Sequence, residues 1–246
     1  MKHSGGVLTA GCLLLMVGAL SSCATMREKK QEPGGELIPF EPMTPVASLR
    51  VERAAYPSLF SPQSYALWVG PEITLQRRAE AAVAGEEIPL EADAIAAMID
   101  ENFLVLECHI ESLFEDMSIS YDVVGFRGIR VYLQTHDGQQ VAPVQILPGR
   151  ELQEQMRGAL RVFRRNNLVV FRKADLNLMV PVRQGRGEGP RLVLDGFNSV
   201  FYFEWPPDIP DKKRYQRLTV RETAGVAKMG YLEYYGRLAD FAHRFD

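Results

Sequence analysis

Gly128-Ile-Arg-Val-Tyr-Leu-Gln134 decides the fold class. Ile129, Val131 and Leu133 alternate with Arg130, Tyr132 and Gln134, and side chains two apart on an extended chain share a face. One face is apolar and the other wet, the pattern of a strand in an antiparallel sheet covered on one side. Thr135-His136-Asp137-Gly138 follows as a hairpin turn in which Gly138 can take positive φ. Outward from this stretch, Phe103 to Ile110, Ser118 to Val124, Gln140 to Leu147, Ala159 to Phe163, Leu168 to Arg172, Arg191 to Leu194 and Ser199 to Trp205 are short and rich in Val, Ile, Phe and Tyr. Arg165-Asn166-Asn167 and Asp195-Gly196-Phe197-Asn198 read as further turns, and Trp205-Pro206-Pro207 ends the sheet or places it at an edge.

About seven or eight short strands at this spacing predict a mainly β fold, an antiparallel β-sandwich. Its architecture is loosely similar to immunoglobulin-like domains, but the Cys-Trp-Cys hallmark is missing and no family is named from it. Helices flank this core. Leu75, Ala79, Ala82 and Val83 recur at helical spacing within Glu72 to Ala84, as do Ala92, Ile95, Met98 and Ile99 within Glu91 to Asn102. Gly85-Glu86-Glu87-Ile88-Pro89 separates the two, which suits a helical hairpin. Met229, Leu232, Tyr235, Leu238, Phe241 or Ala242, and Phe245 predict a C-terminal helix, with a strand hairpin as the alternative. The expected organisation is residues 47–102 as a strand and helical extension, 103–207 as the sandwich core and 208–246 as a helical extension packed on the same domain. Arg183-Gln-Gly-Arg-Gly-Glu-Gly-Pro190 reads as a loop, and its glycines lack the spacing and strand-to-helix setting that cradle a phosphate.

The N-terminus gives an address. Met1-Lys2-His3 makes a basic start, Val7 to Leu20 is apolar but too short to span a bilayer, and Leu20-Ser21-Ser22-Cys23 closes the run. This ending resembles the lipobox of bacterial lipoproteins. The resemblance implies a signal peptide at 1–22 cleaved after Ser22, a diacylglycerol on the Cys23 sulfur and an acylated new N-terminus. Leu8-Thr9-Ala10-Gly11-Cys12 is similar, but Thr9 stands where Leu is wanted and the apolar run before it is short. The alternative is an ordinary signal peptide with a chance cysteine, or an uncleaved anchor. Each buried CH₂ contributes about 0.8 kcal/mol, so several acyl chains would hold the protein stably on a membrane. Ala24 rather than Asp follows the cysteine, which in Gram-negative lipoproteins implies the periplasmic face of the outer membrane. Residues 23–46, with spaced prolines and mixed charges from Arg27 to Glu36, read as a solvated tether.

Composition excludes some classes of function. Lys and Arg total 28 against 31 Asp and Glu, a net charge of −3 with basic residues interleaved with acids, so nucleic acid is not an expected partner. Three cysteines are present. Cys12 leaves with the signal and Cys23 carries lipid, so Cys108 has no intramolecular partner and is expected as a buried small hydrophobe.

Glu107-x-His109-x-Glu111 is the sharpest local constellation, because alternate strand positions set two carboxylates around an imidazole. That face could bind a divalent metal, but His136 and His243 lack ligand spacing. The three residues are expected as the solvated side of a strand whose other side is Leu104, Leu106, Cys108 and Ile110. Tyr202, Tyr234 and Tyr235 are candidates for either core or a partner surface. No Gly-x-Ser-x-Gly elbow or His-Glu-x-x-His helix is present. The expectation is a membrane-anchored envelope lipoprotein acting as a non-catalytic binding or assembly component, with no cofactor or metal and an unidentified protein partner. The alternative is a lipid-tethered periplasmic hydrolase using an Asp/Glu or His/acid site.

Overall fold

A computed structural model describes residues 37–181, 189–206 and 229–244. The signal segment with Cys12, the lipobox Cys23, the tether up to Glu36, most of the Arg183 to Pro190 loop and Phe245 lie outside the described residues. In chain order these form β1 (Leu37–Pro39), β2 (Val46–Arg53), β3 (Tyr65–Val69), α1 (Pro71–Val83), α2 (Ala92–Asn102), β4 (Phe103–Ser112), α3 (Met117–Val124), β5 (Arg130–Gln134), β6 (Gln140–Val141), β7 (Gln145–Leu147), β8 (Gln153–Arg157), β9 (Leu160–Arg172), β10 (Met179–Pro181), β11 (Arg191–Gly196), β12 (Ser199–Glu204) and α4 (Tyr231–Ala242).

The fold is mainly β, a curled antiparallel sheet with a C-terminal helix. The large sheet runs β6-β5-β11-β12-β2-β3-β4-β9-β7, and β8 pairs β9 beside that path, while β1 and β10 form a separate ladder. The two ends of the path, β6 and β7, are joined by residues 142–144 alone, a link of at most about 14 Å. The sheet must therefore curl until its ends nearly meet. Inside the curl, Leu104, Leu106, Cys108 and Ile110 of β4 share one core with Val131 and Leu133 of β5, Leu192 and Leu194 of β11, and Phe201 and Phe203 of β12. The outer face of β3, β4 and β9 is covered in turn by helices, where Leu67, Val105 and Val170 pack with Ile73 of α1, Ile99 of α2 and Leu238 and Phe241 of α4. Among the described residues no helix is long and apolar enough to cross a membrane.

The wet-and-dry alternation of β5 is as expected, with Val131 and Leu133 buried and Arg130 exposed. Its hairpin turn has Gly138 at φ 86°. The 196–199 hairpin uses a tighter turn, with Phe197 and Asn198 both at positive φ between the paired Gly196 and Ser199, the two-residue geometry whose twist suits a hairpin.

Several expectations are corrected. Ser118 to Val124 is helix, not strand, because Asp116 Oδ1 accepts the Ser118 and Ile119 N–H groups at 2.9 and 3.1 Å and Gly125 ends the turn. Arg165-Asn166-Asn167 is no turn but the middle of the continuous β9. Asn167 is fully buried and its amide donates to Val124 O at 2.8 Å, so the polar side chain bridges elements instead of reversing the chain. The Pro-rich segment stops being a tether before residue 46: Ile38 pairs Val180 and Phe40 is buried with its ring 5.0 Å from Trp68. Residues 47–102 are more than an extension, since β2 and β3 are interior strands of the sheet.

Helix α1 forms where expected but shows the opposite face. Ile73, Thr74, Arg77 and Ala81 are buried, and the apolar stripe Leu75, Ala79, Ala82 and Val83 is exposed. In α4 Leu238, Phe241 and Ala242 are buried as expected, joined by Tyr231, Tyr234 and Arg237, while Leu232 and Tyr235 are half-buried against Tyr231.

Candidate functional site

The site grows from the register of three strands. On the helix-covered side of the sheet, Tyr65 of β3 lies directly opposite His109 of β4, and His109 lies opposite Asn166 of β9; one step along, Glu111 faces Arg164. Side chains in such cross-strand positions touch. The Tyr65 and His109 rings stack 4.8 Å apart at 9°, His109 Nδ1 is 2.6 Å from Asn166 Oδ1, and His109 Nε2 is 3.5 Å from Glu111 Oε1. Arg164 Nε approaches the same Glu111 oxygen at 2.6 Å, and Arg157 Nη2 lies 3.5 Å from the other.

Glu107, His109 and Glu111 do share a face, but that face is not solvated. Glu107 and Glu111 are buried and His109 is nearly so, because α1, α2, α4 and the loop after β7 cover it. A carboxylate taken out of water must be compensated by charge and hydrogen bonds. Glu107 meets this through Arg77 Nη2 on one oxygen and the Met229 N–H, at 2.8 Å, on the other. Glu111 is compensated by charge alone, through ion pairs with Arg164 and Arg157 and the neighbouring His109 ring. Thus Glu107 is tied into helix packing, whereas His109 borders open space with Glu111 buried behind it. Among the described residues no group of three or more His, Cys, Asp and Glu is placed to hold a metal.

That space is a polar cleft of about 230 Å³, lined by His109, Arg150, Gln153, Arg164, Asn166 and Glu233 among others. It forms where the outer edge of β9 changes partner, from β7 at Leu168–Val170 to β8 at Leu160–Arg164. Gly149 fills the gap by lying on the strand: a Cβ there would stand 2.4 Å from Asn166 O. From below, Arg237 of α4 donates to Asn166 O at 3.3 Å and to Leu147 O. Burial holds the Arg237 guanidinium below its ordinary value, with Arg150 adding repulsion against the support of Glu233 and Glu107. Arg165 lies on the same rim, but its guanidinium sits over the Tyr121 ring at 5.4 Å.

Asn166 Oδ1 on Nδ1 and the stacked Tyr65 ring fix the orientation of the imidazole, with Nε2 turned toward Glu111. Cys108 points into the opposite core, fully buried, and desolvation pushes its thiol far above the ordinary range. Of the tyrosines, Tyr234 is buried beneath the Arg77 guanidinium at 4.9 Å, which overturns it as a partner surface; Tyr202 and Tyr235 are half-buried. His136 sits in the β5 turn and His243 at the end of α4.

No protein-family model, curated protein or solved structure matches the chain. The site therefore rests on its own geometry. Arg77, Arg150, Arg164, Asn166 and Arg237 were missed by sequence reasoning. One signal was available: Arg77 falls on the same helical face as Ile73 and Ala81, where a charge needs a buried partner.

Proposed function

We propose that the protein is an envelope lipoprotein held on the periplasmic face of the outer membrane by lipid on Cys23, and that it serves there as a non-catalytic binding component. The observation that carries this reading is Leu20-Ser21-Ser22-Cys23 at the end of the apolar run from Val7. Support for binding comes from the cleft, where Arg150, Arg164 and Asn166 present hydrogen-bond donors along one polar wall. We also propose that the curled sheet is a joined variant of the immunoglobulin-like sandwich, supported by the single core shared between β4 and β11–β12.

Metabolic labelling with radioactive palmitate tests the anchor. The wild-type chain should be labelled and sediment with membranes, and Cys23→Ala should be unlabelled and leave the membrane fraction or persist as precursor. Equal label in both would overturn the reading.

A further inference from the structure

The guanidinium of Arg164 is oriented but not used up. Its Nε is buried in an ion pair 2.6 Å from Glu111 Oε1, its side chain is 24% exposed at the cleft wall, and among the described residues its two Nη groups meet no acceptor. Asn166 turns its carbonyl oxygen to His109, which leaves its Nδ2 donor without a partner among the described residues. Arg150 stands on the rim, exposed and without a carboxylate partner among them. Donors from three residues thus line one cleft and lack acceptors there. A carboxylate behind a guanidinium holds the planar fork in place, and such a fork matches an incoming carboxylate with two parallel hydrogen bonds.

We infer that this cleft binds the carboxylate of an amino-acid-sized ligand, such as a free amino acid derivative or a peptide C-terminus, between Arg164, Asn166 and Arg150. Size fits: a cleft of about 230 Å³ falls below the roughly 300–1,000 Å³ of pockets for drug-sized ligands, which suits a ligand of amino-acid size. Charge decides against phosphate. Glu151 and Glu233 also line the cleft and Glu111 lies behind it, so a dianion would face carboxylates on several sides while a monoanion meets the guanidinium fork. The same acids suit a ligand whose remainder is neutral or cationic. This inference deepens the binding reading above and does not depend on the lipid.

The test is a titration of the full chain in detergent micelles with N-acetylalanine, N-acetylalanine amide and inorganic phosphate, followed through the His109 ring signals in the proton NMR spectrum. N-acetylalanine should shift those signals saturably, and the amide should leave them unmoved. Arg150→Gln, at an exposed position, should weaken N-acetylalanine at least fivefold, and Arg164→Gln at least tenfold without rescue by Arg164→Lys. Equal response to acid and amide, no saturable response, tighter binding of phosphate, or full affinity in Arg150→Gln would each overturn the inference. Palmitate labelling of Cys23 is read separately, so either conclusion can fail while the other stands.

Discussion

Arg77 of α1 and Glu107 of β4 form an ion pair in which both side chains are 1% exposed. It is the polar join between helix layer and sheet: Arg77 also lies over the Tyr234 ring of α4, and Glu107 accepts the N–H of Met229 just before that helix. Arg77→Met would leave a buried carboxylate with one hydrogen bond, and such losses cost about 3–5 kcal/mol. The double variant Arg77→Met with Glu107→Gln keeps an acceptor for Met229 and removes both charges, so it should recover most of that loss. Urea unfolding of the three proteins checks this; a double variant no more stable than the single would refute it.

Asp100 of α2 gives stability a pH dependence of unusual sign. Burial pushes its carboxyl up to about 6 from 3.8, against the opposing effects of Lys173 and a hydrogen bond from Thr74. The folded state holds this proton more tightly than the unfolded chain, so the contribution is fully present below about pH 4 and is lost as pH rises through about 6. Because the group is partly exposed, solvent screening reduces the expected loss to about 1 kcal/mol. Asp137, held down to about 2 chiefly by Thr135 and Asn177, acts below this window. Melting curves between pH 4 and 6.5 should show the slope in the wild type and a flatter profile in Asp100→Asn.

The sequence was readable where one face of an element meets water. In β5 the alternation of Ile129, Val131 and Leu133 with Arg130 and Gln134 reports burial directly. In β4 it does not, because both faces are covered and Glu107 and Glu111 are buried through partners on α1, β8 and β9, strands and helices whose register no local pattern encodes. Helix α3 was missed because Ile119, Tyr121 and Val123 mimic period two, although the Asp116 cap was there to be read. Asn166 and Asn167 look like turn formers, yet in β9 their amides serve as bridges to His109 and Val124. The site followed the same division. His109 and Glu111 were visible as a shared face, while Arg164, Asn166 and Arg150 enter only through strand pairing and the loop after β7.

Cys108 should be chemically silent in the folded protein. It is free and fully buried, and desolvation suppresses its thiolate, the reactive form. Iodoacetamide at pH 8 followed by peptide mass mapping should find Cys108 unmodified in the native protein and modified after denaturation. Reductant should leave the melting temperature unchanged. Native labelling as fast as that of an exposed thiol would contradict the packing.

Two glycines should respond to alanine with opposite signs. At Gly149 a Cβ would meet Asn166 O at 2.4 Å and Arg165 Cγ at 3.2 Å, so the loop must lift from the edge of β9. Overpacking of this kind costs about 1–3 kcal/mol, and here it also pulls the Gly149 N–H from Asn167 Oδ1, 3.4 Å away. At Gly236, inside α4, a Cβ meets nothing within 4 Å. Alanine there lowers the entropy of the unfolded chain and suits a helix, a gain of about 0.5–1 kcal/mol. Urea midpoints should therefore fall for Gly149→Ala and rise for Gly236→Ala, with N-acetylalanine binding lost in the first and kept in the second. A Gly149→Ala protein as stable as the wild type would mean that the loop does not lie against β9 and that the cleft beside it is not a preformed site.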